Sequence, residues 1–479
     1  MKIDDFIRIE QKYDLYHLEV DDVQPWMYYR SSFWNYQICK ELLSLSSNIQ
    51  RKSGIKSHGQ QLKNKLRSIM GSNARKTCKA DIVFCSHPRR IKANGYFECI
   101  YTDCLLERYP RSIVWEEPFL EQHLTPVKAE HIFYTDLLEM RARWYRKMLS
   151  RLKTSKYQKI YEKIQKGFAK PLKEIGEAYQ FEISSEEIYS KLTEIVLEIR
   201  TLRAAINKRL DKIAPRLIVE VVWYNKGSMV LNELAKAKGI PTVELQHGTM
   251  HTAHAAYQFA NGCGEIKQFP DYVFVFSEYW KNCAHLPIDD ARIKVTGYPY
   301  FERQLCQYKK VDAEAGKIID IIFVSQGTIG RELSRLAADL CDLLDKTRYH
   351  IIYKLHPGEY EGWQERNPEL LKDNIEVIDS LEHSIYEYFP RCSIQVGVYS
   401  TAIYEGLGFG LTTYIYDVGH ADTMVELCQQ GYAVFVKSVE ELYGHITSDG
   451  VDGSDKGKEF WKMNSLENIC DEIDGLLKK

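Results

Sequence analysis

Residues 215–248 read PRLIVEVVWYNKGSMVLNELAKAKGIPTVELQHG, and this stretch indicates the fold class. The apolar run at its start predicts a buried strand, and GSMVLNELAKAKG predicts a helix that ends at Gly239. IPTVELQHG then predicts a second strand that runs into a loop. Strands that are almost wholly apolar and alternate with helices are typical of a parallel sheet covered on both faces. The stretch therefore predicts an α/β fold.

The same alternation of strands and helices continues on both sides of a polar segment at 307–317, QYKKVDAEAGK. ADIVFC, RSIVWEE, DYVFVF and ARIKV predict strands before it, and IIDIIFV, YHIIYKL, IEVID, SIQVGV and LTTYIY predict strands after it. A chain of 479 residues is also too long for a single hydrophobic core. We therefore predict two doubly wound, Rossmann-like α/β domains that face a cleft and are joined near 302–317.

The predicted domains have the following bounds. An N-terminal domain covers 1–302 and includes a helical insertion at about 132–212, and a C-terminal domain covers 317–456. A final helix at 457–479 is predicted to pack back on the first domain. Within the insertion, Pro171 and the segment SSEE at 184–187 predict helix breaks, the second as a helix N-cap.

Composition limits the class of protein. The formal net charge of −2 argues against a nucleic-acid partner, and 44% hydrophobic with 27% charged residues is ordinary for a globular protein. The 12 cysteines include no C-x-x-C pair and indicate free thiols in a reducing compartment. The sequence contains no signal-peptide apolar core and no run of apolar residues long enough to span a membrane. We therefore expect a cytoplasmic protein.

One segment departs from this balance, because residues 42–80 contain no acidic residue and nine basic ones. The first interpretation is a solvated loop. The second is that the basic segment at 51–79 contacts an anionic partner, either the inner face of the cell membrane or an anionic acceptor.

Two motifs in the second domain follow predicted strands. In KLHPGE the strand ends at His356 because Pro357 cannot continue a central strand, and Lys354 lies two residues before. Histidine and lysine can both bind a phosphate, although a histidine at this place can also serve only to cap a loop. In YSTAIYEG, Ser400 and Thr401 open a predicted helix, where hydroxyls and backbone amides form an anion site.

Glu405 lies about one helical turn after Thr401, so it is predicted to face the same cleft and to accept hydrogen bonds from ribose hydroxyls. The alternative is an ordinary helix N-cap followed by a surface glutamate.

A third motif, Gln246-His247-Gly248, follows a strand of the first domain. Gly248 permits a sharp turn, which would place His247 at the cleft. His251 and His254 are interpreted as loop or acceptor-side neighbours. A metal site needs further ligands at suitable spacing, and neither these ligands nor an Asp-x-Asp turn is found nearby. We therefore predict no metal.

In this order, LQHGT, KLHPGE and YSTAIYEG resemble motifs of bacterial GT-B glycosyltransferases that build surface polysaccharides. The resemblance covers about 217–434 and is strongest to CMP-sugar enzymes, namely sialyltransferases, polysialyltransferases and the β-Kdo transferases of capsule assembly. CDP-glycerol glycerophosphotransferases of teichoic acid synthesis have a similar layout. The resemblance implies a GT-B fold, a nucleotide-sugar donor such as CMP-Kdo or CMP-sialic acid, a glycan acceptor and no metal cofactor.

The resemblance also implies roles for residues. His356, Ser400 and Thr401 would hold the donor phosphate, Glu405 the ribose, and His247 would neutralise the leaving phosphate or contact the sugar. Thr328, in VSQGT after the first strand of the second domain, would join the same pocket. The implied donor-binding residues are Gln246, Gly248, Thr328, Lys354, His356, Pro357, Ser400, Thr401 and Glu405.

The base that deprotonates the acceptor is expected in the first domain. Glu116 and Glu117 in VWEEP are the preferred candidates, followed by Asp103, and Glu220 also ends a strand. A carboxylate at any of these places can instead belong to a salt bridge. The two arginines of SHPRR, at 89 and 90, are interpreted as contacts for an anionic acceptor or as surface residues.

Three alternatives remain open at this point. A CDP-polyol phosphotransferase would use the same pocket, and a UDP- or GDP-sugar enzyme of the same fold, including an epimerase, would differ in its nucleotide. A non-catalytic scaffold is the third, because a fold does not fix a function.

Overall fold

The computed structural model describes residues 3–39, 79–88, 90–119, 122–308, 318–380, 382–419, 421–448 and 455–478. The basic segment at 51–79 lies outside these ranges except for its last residue, so its predicted partner contact stays a prediction. The strands are β1 (Ile82–Ser86), β2 (Ile91–Ala93), β3 (Tyr96–Glu98), β4 (Ser112–Glu116), β5 (Ile132–Tyr134), β6 (Leu217–Glu220), β7 (Thr242–Leu245), β8 (Tyr272–Val275), β9 (Ile293–Val295), β10 (Ile319–Val324), β11 (Tyr349–Lys354), β12 (Ile375–Ile378), β13 (Cys392–Gly397), β14 (Thr412–Tyr416) and β15 (Val434–Val436).

The α-helices of the described ranges alternate with the strands in most of the chain. They are α1 (Asp4–Lys12), α2 (Arg30–Phe33), α3 (Asp136–Arg151), α4 (Ser155–Tyr179), α5 (Ser185–Ile213), α6 (Lys226–Ala237), α7 (Glu278–Cys283), α8 (Pro299–Gln307), α9 (Gly330–Leu343), α10 (Trp363–Arg366), α11 (Ile385–Tyr388), α12 (Thr401–Gly408), α13 (Val425–Gln429), α14 (Val439–Ser448) and α15 (Ser465–Lys478).

Two parallel sheets form the frame of the molecule. The first has the order β5-β4-β1-β6-β7-β8-β9 and the second the order β12-β11-β10-β13-β14-β15. Every neighbouring pair in both sheets is parallel. The carboxyl ends of the strands in each sheet therefore lie at a single edge, where ligands bind in open α/β sheets. The predicted class, two doubly wound α/β domains, is confirmed.

The helical insertion differs in three details from the sequence prediction. Residues at its predicted start form the edge strand β5, and the helices α3, α4 and α5 follow. Pro171 lies inside α4 and does not end it. An interior proline costs a helix about 3 kcal/mol, and the burial of Phe168, Leu172 and Ile175 on the same helix offsets that cost. Ser184 does precede α5, but its side chain makes no capping hydrogen bond.

The N-terminal segment at 3–39 is part of the core of the first domain. Arg30 and Glu10 are fully buried and form an ion pair, with Arg30 Nε donating to Glu10 Oε1 at 2.8 Å. Arg30 also donates to the carbonyls of Ala255 and Gln258, and its guanidinium lies 4.4 Å from the Phe259 ring centroid. The segment therefore holds the loop that follows β7.

The chain crosses between the domains twice. It leaves the first domain through α8 and returns at 457–464 to α15, whose Ile469 and Ile473 pack on the first sheet. The two crossings lie side by side, because a Cβ on Gly297 would come within 2.1 Å of the Lys462 carbonyl oxygen. Glu302 of α8 accepts hydrogen bonds from the backbone amides of Asn464 and Ser465, at the start of α15. The returning segment is thus fixed to the departing one.

None of the helices in the described ranges has both the length and the hydropathy needed to cross a bilayer.

Candidate functional site

Three loops of the second domain meet at the carboxyl edge of its sheet. They follow β11, β10 and β13, which are adjacent in the sheet. The Tyr353 hydroxyl donates to Ser325 Oγ at 3.2 Å and so ties β11 to the loop after β10. The hydroxyls of Thr328 and Tyr399 are hydrogen bonded, which ties the loop after β10 to the loop after β13. The Thr328 position predicted from VSQGT is therefore in contact with the Tyr-Ser-Thr motif.

His356 is exposed at the end of β11 and its ring has a defined tautomer. The backbone amide of Gly358 donates to its Nδ1 at 3.1 Å, and Glu359 accepts from the His356 amide at 2.9 Å. Because Nδ1 accepts a hydrogen bond, a neutral ring carries its proton on Nε2. The loop therefore presents an N–H donor, which is the group that an anionic oxygen requires. Pro357 begins the short 3-10 turn that fixes this arrangement.

Ser400 is the N-cap of α12, and its hydroxyl accepts from the Ala402 amide at 3.2 Å. The helix packs closely against β13 because Gly406 has no side chain, and a Cβ there would lie 2.1 Å from Gln395 Oε1. Thr401 is half-buried at the first helical position. The N-terminus of α12, with its hydroxyls and positive dipole end, thus opens at the same edge as His356.

The first domain brings His247 to the opposite side of the cleft. Its Nε2 lies 3.1 Å from the Tyr224 hydroxyl, and its carbonyl accepts from Tyr101 at 2.8 Å. A Cβ on Gly248 would lie 3.9 Å from Thr401 Oγ1, so the Gln-His-Gly and Tyr-Ser-Thr motifs face each other at close range. Gly248 does not have a positive φ. The missing side chain of Gly248 therefore permits the close approach to Thr401 and is not needed for a left-handed turn.

The charge state of His247 differs from the sequence expectation. Burial, with a smaller contribution from the neighbouring His87, lowers the pKa of its ring to about 3. The ring is therefore neutral at physiological pH and offers hydrogen bonds rather than a positive charge to a leaving phosphate. His254 is similar, since burial lowers its pKa to about 3.

Three predicted donor residues have contacts that point elsewhere. Gln246 is buried, donates to the Gly248 carbonyl at 2.8 Å and accepts from the Phe276 amide at 2.7 Å, so it shapes the loop. Lys354 donates to the Tyr360 hydroxyl at 2.6 Å on the β12 side of the sheet, and burial lowers its pKa to about 8.

Glu405, the third of these residues, is 9% exposed and lies among tyrosines at the domain boundary. Burial raises the pKa of its carboxyl to about 7, and a hydrogen bond from Tyr386 opposes the shift. Tyr298 and Tyr101 stack at 5.5 Å between ring centroids beside it. These aromatic residues have no motif signal in the sequence.

Two candidate bases belong to a buried network of charges. Arg90 donates to Glu116 Oε2 at 2.9 Å and to Asp103 Oδ2 at 3.0 Å. His123 bridges Glu116 at 2.8 Å and Asp136 at 2.7 Å. Burial lowers the pKa of His123, but the hydrogen bonds to both carboxylates outweigh it and raise the pKa to about 9. The network favours a structural role for Asp103 and Glu116, and it places the Arg90 side chain where an acceptor cannot reach it.

Glu117, the residue after β4, lies on the other side of the strand from this network. It is half-buried beside the start of α6, where a Cβ on Gly227 would lie 3.0 Å from its Oε1. Burial, with a smaller contribution from the negative charge of Glu139, raises the pKa of its carboxyl to about 8. Glu220 is completely buried.

His87 lies beside the candidate site although none of the three motifs contains it. It follows β1, and its ring lies 6.3 Å from the His247 ring and 6.0 Å from the Tyr101 ring, centroid to centroid. The sequence does carry a signal for it, because His87-Pro88 after β1 repeats the dipeptide His356-Pro357 after β11. The cleft edge of each domain thus presents a histidine at a strand end.

Two cavities in the described part of the chain lie away from these loops. One of about 360 Å³ is lined by residues of α8 and the start of α15, and one of about 680 Å³ lies between α7 and 458–462. Neither is lined by a motif residue. In the described ranges, no group of three or more side chains is arranged to hold a metal ion.

Comparisons with known proteins give similarity of structure only. No protein-family model matches the chain, and no curated protein matches it by sequence. The UDP-GlcNAc 2-epimerase from Methanocaldococcus jannaschii is similar with a TM-score of 0.47 and 13% identity, covering 83% of this chain and 99% of that one. The glycotransferase of kitacinnamycin has a TM-score of 0.45 and 12% identity over 83% and 99%. The wall teichoic acid polymerase TagF has a TM-score of 0.44 and 12% identity over 87% and 98%.

Proposed function

We propose that this protein is a glycosyltransferase of the GT-B type that uses a nucleotide-activated sugar. The observation that carries the proposal is the meeting of the predicted motifs at one cleft, with Gly248 facing Thr401 across it. His356 offers an N–H donor, and the hydroxyls at the start of α12 lie at the same sheet edge. Donors aimed at one place from a strand end and a helix N-terminus suit the phosphate of a nucleotide.

The donor is proposed to be a CMP-sugar, such as CMP-Kdo or CMP-sialic acid, on the basis of the motif resemblance. The acceptor is proposed to be a bacterial surface polysaccharide or a lipid-linked glycan. Charge that develops on the leaving phosphate would be stabilised by His356 and the N-terminus of α12, without a metal ion. Addition of EDTA is therefore expected to leave donor binding and transfer unchanged.

The base is proposed to be His87. A general base must lie within hydrogen-bond reach of the acceptor hydroxyl. The His87 ring neighbours His247, which stands next to the Gly248–Thr401 approach. Glu117 follows β4, three strands from β7, or roughly 14 Å at the usual strand spacing. Replacement of His87 by alanine is expected to lower kcat by about 10²–10⁴ without weakening nucleotide binding, whereas Glu117→Gln would have the smaller effect.

Nucleotide binding tests the proposal without a known acceptor. The melting temperature is measured with CMP, CDP, UMP, UDP and GDP on the wild type, on His356→Ala and on His383→Ala. His383 is an exposed histidine of the same domain, paired with Glu387, and serves as the matched control. A ligand at 100 times its Kd stabilises the folded state by about 2.7 kcal/mol. Loss of a hydrogen bond to a charged group costs about 1.5–3 kcal/mol of that binding.

CMP is expected to raise the melting temperature of the wild type and of His383→Ala, with a much smaller rise for His356→Ala. A rise only with UDP or GDP would contradict the cytidine donor, and no rise with any nucleotide would contradict the transferase itself.

A CDP-polyol phosphotransferase is the second candidate, because the contacts at His356 and α12 suit a phosphate and do not select a sugar. Both reactions release CMP, so the assay must follow the transferred group. CMP release from a CMP-sugar would support the first candidate. Release from CDP-glycerol or CDP-ribitol, with phosphorus appearing in the product, would support the second.

A further inference from the structure

The outer face of α3 combines exposed apolar side chains with a dense positive charge. Met140 and Trp144 are 44% and 65% exposed, and Leu152 just after the helix is 70% exposed. Arg141, Lys147 and Arg151 are exposed on either side of them. At 100° per residue, these side chains of the helix fall within about a third of its circumference around Trp144.

Trp144 is exceptional within this chain. The sequence has eight tryptophans, all in described positions, and the other seven are at most 6% exposed. A tryptophan side chain is ordinarily largely buried because it is large and apolar. The opposite face of α3 packs against the core, since Ala142 and Leu149 are buried there. The exposed face is therefore not a consequence of a poorly packed helix.

The charge around this face has one sign. From 140 to 161 the sequence contains eight basic residues and no acidic one. Arg143 pairs with Glu139 of the preceding turn, and Arg146 is directed inward to Glu194 and Glu198. The acidic partners of α3 thus lie at its start or beneath it, and its outer face remains cationic.

We infer that this α3 face, formed by Met140, Arg141, Trp144, Lys147, Arg151 and Leu152, docks on the surface of an anionic lipid bilayer. An interfacial helix presents apolar side chains to the acyl boundary and long basic side chains to the headgroups, with tryptophan at headgroup depth. A soluble polyanion would use the cations but would leave Trp144 and Met140 in water. A protein partner would be expected to exclude lysine from the centre of its contact.

Co-sedimentation with vesicles tests the inference on the full chain. The vesicles contain either phosphatidylcholine alone or equal parts of phosphatidylcholine and phosphatidylglycerol. The wild type is expected to sediment only with the anionic vesicles. Met140→Ser combined with Trp144→Ser is expected to lower the partition coefficient about tenfold or more. Arg141→Glu combined with Lys147→Glu is expected to lower it by more than about twenty-fivefold, since each lost cation contributes about fivefold and each added carboxylate is repelled by the anionic surface.

Matched substitutions elsewhere on the surface serve as controls. Tyr443→Ser removes an aromatic ring that is 36% exposed on α14, and Arg335→Glu with Lys346→Glu reverses two exposed cations of the second domain. Both controls are expected to sediment as the wild type does. A circular dichroism melt of each variant separates loss of docking from loss of folding.

Fluorescence gives an independent readout because the exposed emission comes from one residue. Acrylamide is expected to quench Trp144 in solution and to quench it less when anionic vesicles are present, while brominated lipids quench it on docking. Absence of vesicle binding by the wild type overturns the inference, and so does wild-type binding by the Met140/Trp144 variant. Binding that is lost only in the charge variant would indicate a general polyanion surface, which also overturns it.

Discussion

Glu220 and Glu244 stand directly opposite each other on β6 and β7, and neither is exposed to solvent. Asn232 donates to Glu220 Oε1 at 2.7 Å, and Tyr257 donates to Glu244 Oε1 at 2.9 Å. The other oxygen of each carboxyl has no hydrogen-bond partner in the described structure. Two carboxyls so placed cannot both ionise cheaply. The other polar and charged groups that interact with the two carboxyls are Ser228, Lys236, Asp271, the Trp223 amide and His247, whose ring lies 3.9 Å from Glu244.

This pair predicts how stability depends on pH. Burial raises the pKa of Glu220 to about 7 and that of Glu244 well above its ordinary value. A carboxyl whose pKa is higher in the folded state contributes stability that is complete below the unfolded pKa and is lost as pH rises through the folded pKa. The contribution of this pair to the melting temperature is therefore expected to fall between about pH 5 and pH 8. Glu220→Gln should flatten the fall, with a difference on the order of 3 kcal/mol.

The measurement compares melting temperatures of the wild type, Glu220→Gln and Glu302→Gln from pH 5 to pH 8. Glu302 caps α15 near the surface, so its replacement controls for the loss of a carboxylate outside the buried pair. A variant Glu220→Gln with the wild-type slope would show that the buried pair does not titrate in this range.

The residues of the candidate site whose position could be predicted are those placed by local chain geometry. His356, Ser400 and Thr401 follow strands, and a strand end in a parallel sheet lies at the ligand edge wherever the sheet is placed. The ion pairs of Glu116 could not be predicted, because Arg90 and His123 reach it only through the register of β1 and β4. The spacing of Arg90, Glu116 and His123 in the sequence does not distinguish a catalytic carboxylate from one held in an ion pair.

At the scale of elements, the sequence prediction was wrong for a helix where packing outweighs local preference. It also missed a hairpin that a short turn motif indicates. Pro171 stays inside α4 because the buried face of that helix is long. Asn94-Gly95, both with positive φ, forms the turn of the β2–β3 hairpin. Asn-Gly is a strong hairpin signal, so this hairpin can be predicted from the sequence.

The crossing beside Gly297 predicts a large effect of a small substitution. Gly297 has a φ of +95°, and its missing side chain allows the Lys462 carbonyl to approach. Gly297→Ala is expected to destabilise the protein by about 3 kcal/mol or more, because it adds backbone strain to an overlap with backbone.

Gly444→Ala is the matched substitution. Gly444 lies within α14 with no atom near the added Cβ, so alanine should be neutral or stabilising by up to about 1 kcal/mol. Chemical denaturation of both variants measures the difference. Equal midpoints for the two would mean that the crossings are not packed as described.

At the scale of the whole molecule, the two domains meet where Gly248 faces Thr401. Gly248→Cys combined with Thr401→Cys is expected to form a disulfide under mild oxidation, since the added atoms need only a small movement to meet. Non-reducing electrophoresis detects the cross-link, and each single variant controls for exposed native thiols such as Cys306.

Gly262→Cys with Thr401→Cys is the control pair and should not react, because no atom lies within 4 Å of a Cβ added to Gly262. A cross-link of equal yield in both pairs would contradict the placement of the domains. On the proposed function, bound CMP should slow the reaction of the Gly248 pair by separating the two loops.

The position of the α3 face relative to the cleft follows from where α3 begins. The first residue of α3, Asp136, bonds to His123 at the carboxyl edge of the first sheet. A bilayer under α3 would therefore lie beside the cleft edge of the first domain. On the proposed function, an acceptor carried by a lipid would enter from that side.

The return of α15 to the first domain has a consequence for biosynthesis. The second domain is built from one uninterrupted stretch of chain, whereas the first needs residues from both sides of that stretch. The apolar face formed by Phe84, Val114 and Val219 stays uncovered until residues 465–478 have left the ribosome. Domains usually fold in the order in which they are made. We expect the first domain to complete its folding only after the second domain has been made, because α15 supplies part of its apolar core.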